Sequence, residues 1–81
     1  MSVIQLNILS PEGPVVQADV DRVTLPGAAG SFTVLKDHAP LVTALTKGRI
    51  RYVSGGKESF LTIREGFVQV GENRVDVCVE L

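Results

Sequence analysis

Apolar and polar residues alternate one by one along most of this chain, the period-2 pattern of strands with a single buried face. In "VIQLNIL" Ile4, Leu6 and Ile8 fall on one face, with Gln5 and Asn7 on the other. In "VVQADVDRVTL" the apolar set runs Val16, Ala18, Val20 and then changes parity to Val23 and Leu25. That change across Asp21-Arg22 predicts a bulge or bend in place of one straight strand. The last segment, "RVDVCVEL", sets Val75, Val77, Val79 and Leu81 against Asp76, Cys78 and Glu80. Between these lie four further short apolar runs, "SFTVL", "LVTAL", "RIRYVS" and "KESFLTI", and then "FVQV" at 67–70.

Turn residues separate the runs at short intervals: "SPEGP" at 10–14, "PGAAG" at 26–30, "KDHAP" at 36–40, "TKG", "GG" at 55–56, "REG" and "GEN" at 71–73. The glycine pair between "RIRYVS" and "KESFLTI" is the strongest hairpin signal in the chain. Eight to ten short strands result, and no segment carries a 3.6-residue period long enough for a helix. Valine dominates, as half-buried pleated surfaces prefer. So many short strands must cover one another's apolar faces, which predicts one all-β domain over residues 1–81, an antiparallel sandwich or barrel.

Composition narrows the function more than the fold. With 81 residues, 44% of them apolar, the chain is near the lower limit for a self-supporting core. The formal charge of −1, from 8 basic and 9 acidic residues scattered in ones and twos, offers no basic track for a phosphate backbone. The four aromatics, Phe32, Tyr52, Phe60 and Phe67, do not interleave with basic clusters, so nucleic acid is disfavoured as a ligand. Cys78 has no second cysteine to pair with and reads as a small buried hydrophobe. No targeting segment and no apolar run of about 18 residues is visible, so the simplest expectation is a cytoplasmic chain that does not itself span a membrane.

Reactive groups do not converge in the sequence. His38 is the only histidine, and Asp37 beside it would point away in an extended segment. The serines at 2, 10, 31, 54 and 59 lie in no G-x-S-x-G elbow. One histidine and one cysteine do not make a zinc site, and "GAAG" lacks the G-K-[ST] ending of a phosphate loop. Asp19 and Asp21 share one side of a strand and read as a solvent-facing row. Lys47, Arg49 and Arg51 alternate along another strand, as a solvated face or as an electrostatic patch for a partner. Stacking on sugar rings is disfavoured by the lack of Trp and the single Tyr. Binding to another protein is thus favoured over catalysis, and no cofactor or metal is expected.

The stretch "VTLPGAAGSFTVLKDHAPLVTALTKGRIRYV" resembles the N-terminal domain of the epsilon subunit of F-type ATP synthase. The resemblance rests on the turn glycines Gly27 and Gly30, the strand residues Phe32 and Val34, and the block His38, Ala39, Pro40, Leu41, Thr43, Ala44, Leu45, Gly48 and Arg51. Gly66, Phe67, Val70, Asn73 and Val75 continue it, and "IQLNILSPEG" is similar to the family's first strand and turn. Lys36 and Asp37 stand where the family has a proline–glycine step, and Ser31 where many members carry an acid.

This resemblance implies a flattened antiparallel β-sandwich of about ten short strands and a non-catalytic central-stalk subunit. It implies gamma-subunit and c-ring polar loops as partners, at the cytoplasmic face of the bacterial inner membrane, in association with the membrane only through the complex. By resemblance, Ala28, Ala29, Gly30, Ser31 and Phe32 face the ring. His38, Ala39, Pro40, Leu41 and Thr43 face gamma. The family's C-terminal helical hairpin would follow "CVEL", so residues 1–81 are expected to act without helix-based inhibition, and in isolation as a monomer.

Overall fold

The computed structural model describes residues 3–81, so Met1 and Ser2 lie outside the described residues. Nine strands follow one another: β1 (Ile4–Ser10), β2 (Gly13–Val20), β3 (Arg22–Gly27), β4 (Gly30–Val34), β5 (Leu41–Leu45), β6 (Gly48–Ser54), β7 (Lys57–Ile63), β8 (Glu65–Gly71) and β9 (Arg74–Glu80). They form one curled sheet in the order β2-β1-β9-β8-β5-β3-β6-β7, with β4 paired to β3. All pairings are antiparallel except that of β1 with β9, which brings the two ends of the chain side by side. The expected strand count of about ten is met by nine among the described residues, and no helix occurs there.

The sheet folds over on itself at β5 and β3, where pairing narrows to Gly27 against Leu45. Two backbone hydrogen bonds complete that corner, from Ala28 N to Ala44 O (3.0 Å) and from Thr46 N to Pro26 O (2.9 Å). One layer is then β2-β1-β9-β8-β5 and the other β3-β6-β7 with β4. Their inner faces meet in a core of Ile4, Leu6, Ile8, Val20, Val23, Leu25, Val34, Leu45, Ile50, Ile63, Val68, Val70, Val75, Val77 and Val79. Ile4, Leu6, Ile8, Val20, Val23, Leu25, Val75, Val77 and Val79 among them are residues that the alternation assigns to the inside, with Val16 and Ala18 packed partly buried against them. Each apolar side chain fully buried contributes about 1.5–3 kcal/mol. Leu81 is the exception: β9 ends at Glu80 and Leu81 is exposed.

The parity change at Asp21-Arg22 is a sharp bend that passes the chain from one layer to the other. The Asp21 N–H donates to Val53 O (2.7 Å), and Ser54 Oγ donates to Asp19 O (2.7 Å), closing the sandwich on that side. Asp21 therefore lies in the bend and does not share a strand face with Asp19 as expected, although both are exposed to solvent. A true bulge sits elsewhere. The register slips between Ile8 and Leu9, which pair with Val16 and Pro14 and leave Val15 over. β2 is an edge strand, where a proline without an N–H and a bulge both fit. Gly55 and Gly56, at φ 60° and 81°, make the two-residue hairpin turn that the glycine pair predicts.

Candidate functional site

The β3–β4 turn carries the first group of expected contact residues. Ala28 and Ala29 form its exposed tip, between Gly27 and Gly30, which pair directly across the hairpin. Gly30 adopts φ 135°, a conformation closed to L side chains. Gly27 is needed for a different reason. A Cβ there would lie 2.7 Å from Gly30 O and 2.9 Å from the Phe32 ring, so the ring packs directly over this glycine. Ser31 is exposed, whereas Phe32 is half-buried against the core and chiefly supports the turn.

The second group follows β4. His38 N donates to Leu35 O (3.1 Å), closing a four-residue turn with Asp37 at φ 65° in its third position. A positive φ there is the requirement of a type II turn, whose usual occupants of the two central places are proline and glycine. Lys36 and Asp37 thus form the turn without either residue. The segment is a turn, not the extended stretch assumed in placing Asp37 away from His38. Asn73, itself at φ 51°, secures it: its Oδ1 accepts from Asp37 N (3.2 Å), and its backbone oxygen accepts from Gln5 N (3.0 Å). The His38 ring turns back on its own chain, with Nδ1 donating to Ala39 O at 2.6 Å. Ala39 and Pro40 are exposed, Thr43 is half-buried, and Leu41 packs on the core. The two groups lie at opposite ends of β4, about 13 Å apart for a five-residue strand at roughly 3.3 Å per residue.

Between and beside them the outer face of the β1-β9-β8-β5 layer is unusually apolar. Leu9 pairs with Cys78, Cys78 with Phe67, and Phe67 with Ala44, so these four residues form one row across the strands. Phe67 is 52% exposed and Val42, one step along β5, is 69% exposed. An open groove of about 530 Å³ runs along the Leu9, Phe67 and Cys78 side chains. Cys78 is half-buried on this outer face and is not the core hydrophobe that the sequence suggested, because it shares the parity of Asp76 and Glu80. Below the row the face turns polar, with Asn7 Nδ2 donating to Asp76 Oδ1 (3.2 Å). Leu9, Val42, Ala44 and Phe67 were not singled out as site residues. The signal was present for two of them: Leu9 and Phe67 are apolar residues on the parity that β1 and β8 otherwise give to polar ones. In β5, by contrast, Val42 and Ala44 share a wholly apolar parity and the one polar residue, Thr43, lies on the other.

Among the described residues no group of three or more His, Cys, Asp or Glu that could hold a metal ion comes together. Asp37 reaches only the Lys36 ammonium, at 4.0 Å and in solvent, so it does not orient His38. Arg49 and Arg51 are exposed side by side on the outer face of the other layer, while Lys47 precedes the strand.

Residues 3–81 match the profile of a protein family described as ATP synthase, Delta/Epsilon chain, beta-sandwich domain. The chain belongs to this family. Within it, the ATP synthase epsilon chain of Anaeromyxobacter sp. (strain Fw109-5) is 47% identical over 77 residues, covering 95% of this chain and 58% of the relative. The epsilon chain of Desulfitobacterium hafniense (strain DSM 10664 / DCB-2) is 37% identical over 75 residues, 93% of this chain and 57% of its own length. The chain thus spans a little over half the length of the curated relatives it matches. Among solved structures, a chain of the Euglena gracilis mitochondrial ATP synthase (OSCP/F1/c-ring in rotational state 1) superposes with a TM-score of 0.91 at 26% identity. It is matched over 98% of this chain and 51% of its own. A chain of the Tetrahymena thermophila mitochondrial ATP synthase central stalk and c-ring shares the fold, with a TM-score of 0.81 at 15% identity over 96% of this chain and 63% of that one.

Proposed function

We propose that these residues are the stalk-binding β-sandwich of an F-type ATP synthase epsilon subunit, a non-catalytic part that joins the gamma subunit to the polar loops of the c-ring. It would work at the cytoplasmic face of the bacterial membrane and reach that membrane only through the complex. Coupling then means transmitting torque, for which a stiff sandwich with contact surfaces at both ends of β4 is suited. The observation that carries this reading is the apolar row Leu9–Cys78–Phe67–Ala44, extended by Val42 into the His38–Thr43 segment. A row of this kind on an otherwise polar sheet face is what a protein partner covers. The helical hairpin's inhibitory role is not assigned to residues 3–81, which hold no helix.

The test uses the single thiol as a reporter. Cys78 lies in the middle of the row, so folded gamma should co-purify with the protein and slow alkylation of Cys78 at least tenfold. Phe67→Ser should weaken that complex by a similar factor, leaving the isolated protein folded because the ring is largely in solvent. Ring docking is read separately: Ala29→Trp, at the tip of the β3–β4 turn, should block binding to isolated c-ring and spare gamma. Failure of folded gamma to co-purify, or an unchanged Cys78 alkylation rate, would overturn the reading.

A further inference from the structure

The outer face of the second layer bears a feature that the proposed gamma and ring contacts touch only at Ser31. Arg49, Arg51 and Phe60 stand there around an open depression of about 460 Å³, which Pro26 and Ser31 close on one side. Arg51 pairs directly with Phe60 across β6 and β7, and the Arg49 guanidinium lies 5.3 Å from the Phe60 ring centre. The two guanidinium stems are two residues apart on one strand, hence about 6.6 Å apart at the backbone and on the same side. Among the described residues neither arginine has a carboxylate within 4.0 Å or a side-chain hydrogen bond. Phe60 is 51% exposed beside them.

We infer that this face binds a carboxylate-bearing segment of a partner polypeptide, seated with its acid between Arg49 and Arg51 and an apolar neighbour against Phe60. An arginine fork matches a carboxylate in two parallel hydrogen bonds, and a ring that already orients one guanidinium lowers the entropy lost on docking. A lipid surface fits less well. Polybasic lipid sites gather about 4–8 Lys or Arg, whereas this patch holds two arginines, and β7 adds the exposed Glu58 on the parity of Phe60. The patch occupies the layer opposite the apolar row, so both can be filled at once, and its test requires neither gamma nor the ring.

Titration of the isotope-labelled protein with a capped pentapeptide bearing two glutamates around one leucine, followed by amide NMR, decides the matter. Saturable shifts should map to β6, β7 and the β3–β4 turn, and weaken as salt is raised. The Arg49→Gln, Arg51→Gln double variant should weaken binding at least tenfold, with its amide spectrum reporting that it is folded. Should that variant unfold, Arg49→Lys with Arg51→Lys keeps the charge but removes the forks and should weaken binding several-fold. Arg74→Gln, on the other outer face, should change nothing. Equal binding of the glutamine counterpart of the peptide, shifts that map elsewhere, or no saturation would each overturn the inference. So would tighter binding to phosphatidylserine vesicles than to the peptide.

Discussion

Two residues held in the left-handed region, Asp37 and Asn73, set the shape of the loop that leads into the proposed gamma-facing segment. Asp37 occupies a glycine's place, and relief of the backbone penalty exceeds the entropy that glycine adds to the unfolded chain. Asp37→Gly should therefore stabilise the protein by about 0.5–1 kcal/mol. Asn73 acts twice, through its own conformation and through its bond to Asp37 N. Asn73→Ala should cost about 1.5–3.5 kcal/mol, the sum of one lost hydrogen bond and a strained alanine. Asn73→Gly should cost less, because it keeps the conformation and loses only the bond. Both variants should speed hydrogen exchange at the Asp37 amide, and unchanged exchange would show that the loop holds itself. The residues themselves were legible as turn formers. Their partnership across 36 positions of sequence was not.

At the scale of the strands, the alternation read from the sequence assigns the inner faces of β1, β3 and β9 correctly, and the glycine pair places the β6–β7 hairpin. It misses what depends on the neighbouring strand. Gly66 looks like a spacer in "REG", yet it lies in β8 where a Cβ would collide with the backbone of Cys78 and Val79. Gly66→Ala should force β8 and β9 apart and destabilise by about 1–3 kcal/mol, as overpacking does; denaturant midpoints measure it. Gly71, also in β8, has open space around it, so Gly71→Ala should be tolerated far better. Phe67 shows the same limit from the other side. Its parity with Glu65 and Gln69 turns it outward, but only the pairing with Cys78 and Ala44 reveals the apolar row that it joins.

For the molecule as a whole, a small core makes each large residue count. Ile50→Ala, at a fully buried position in β6, should lose about 2–5 kcal/mol and leave little folded protein at ambient temperature. A partner that binds only the folded state adds back stability by mass action, about 2.7 kcal/mol at a hundredfold excess over Kd. Since 1 kcal/mol shifts Tm by about 4–8 °C in a domain of this size, saturating gamma should raise Tm by more than 10 °C. Equal melting temperatures with and without it would contradict the proposed role. Sequence alone settled the all-β class, the approximate strand number, the inside of β1, β3 and β9 and the likeness to one family. All of these are local, since a period of two and a turn residue act through the nearest few positions. Tertiary structure decided the parallel pairing of β1 with β9, the corner at Gly27 and Leu45, the apolar row of Leu9, Cys78, Phe67 and Ala44, and the basic face around Phe60. Each brings together residues from strands remote in the chain, and no periodicity within one strand records which neighbour will lie beside it.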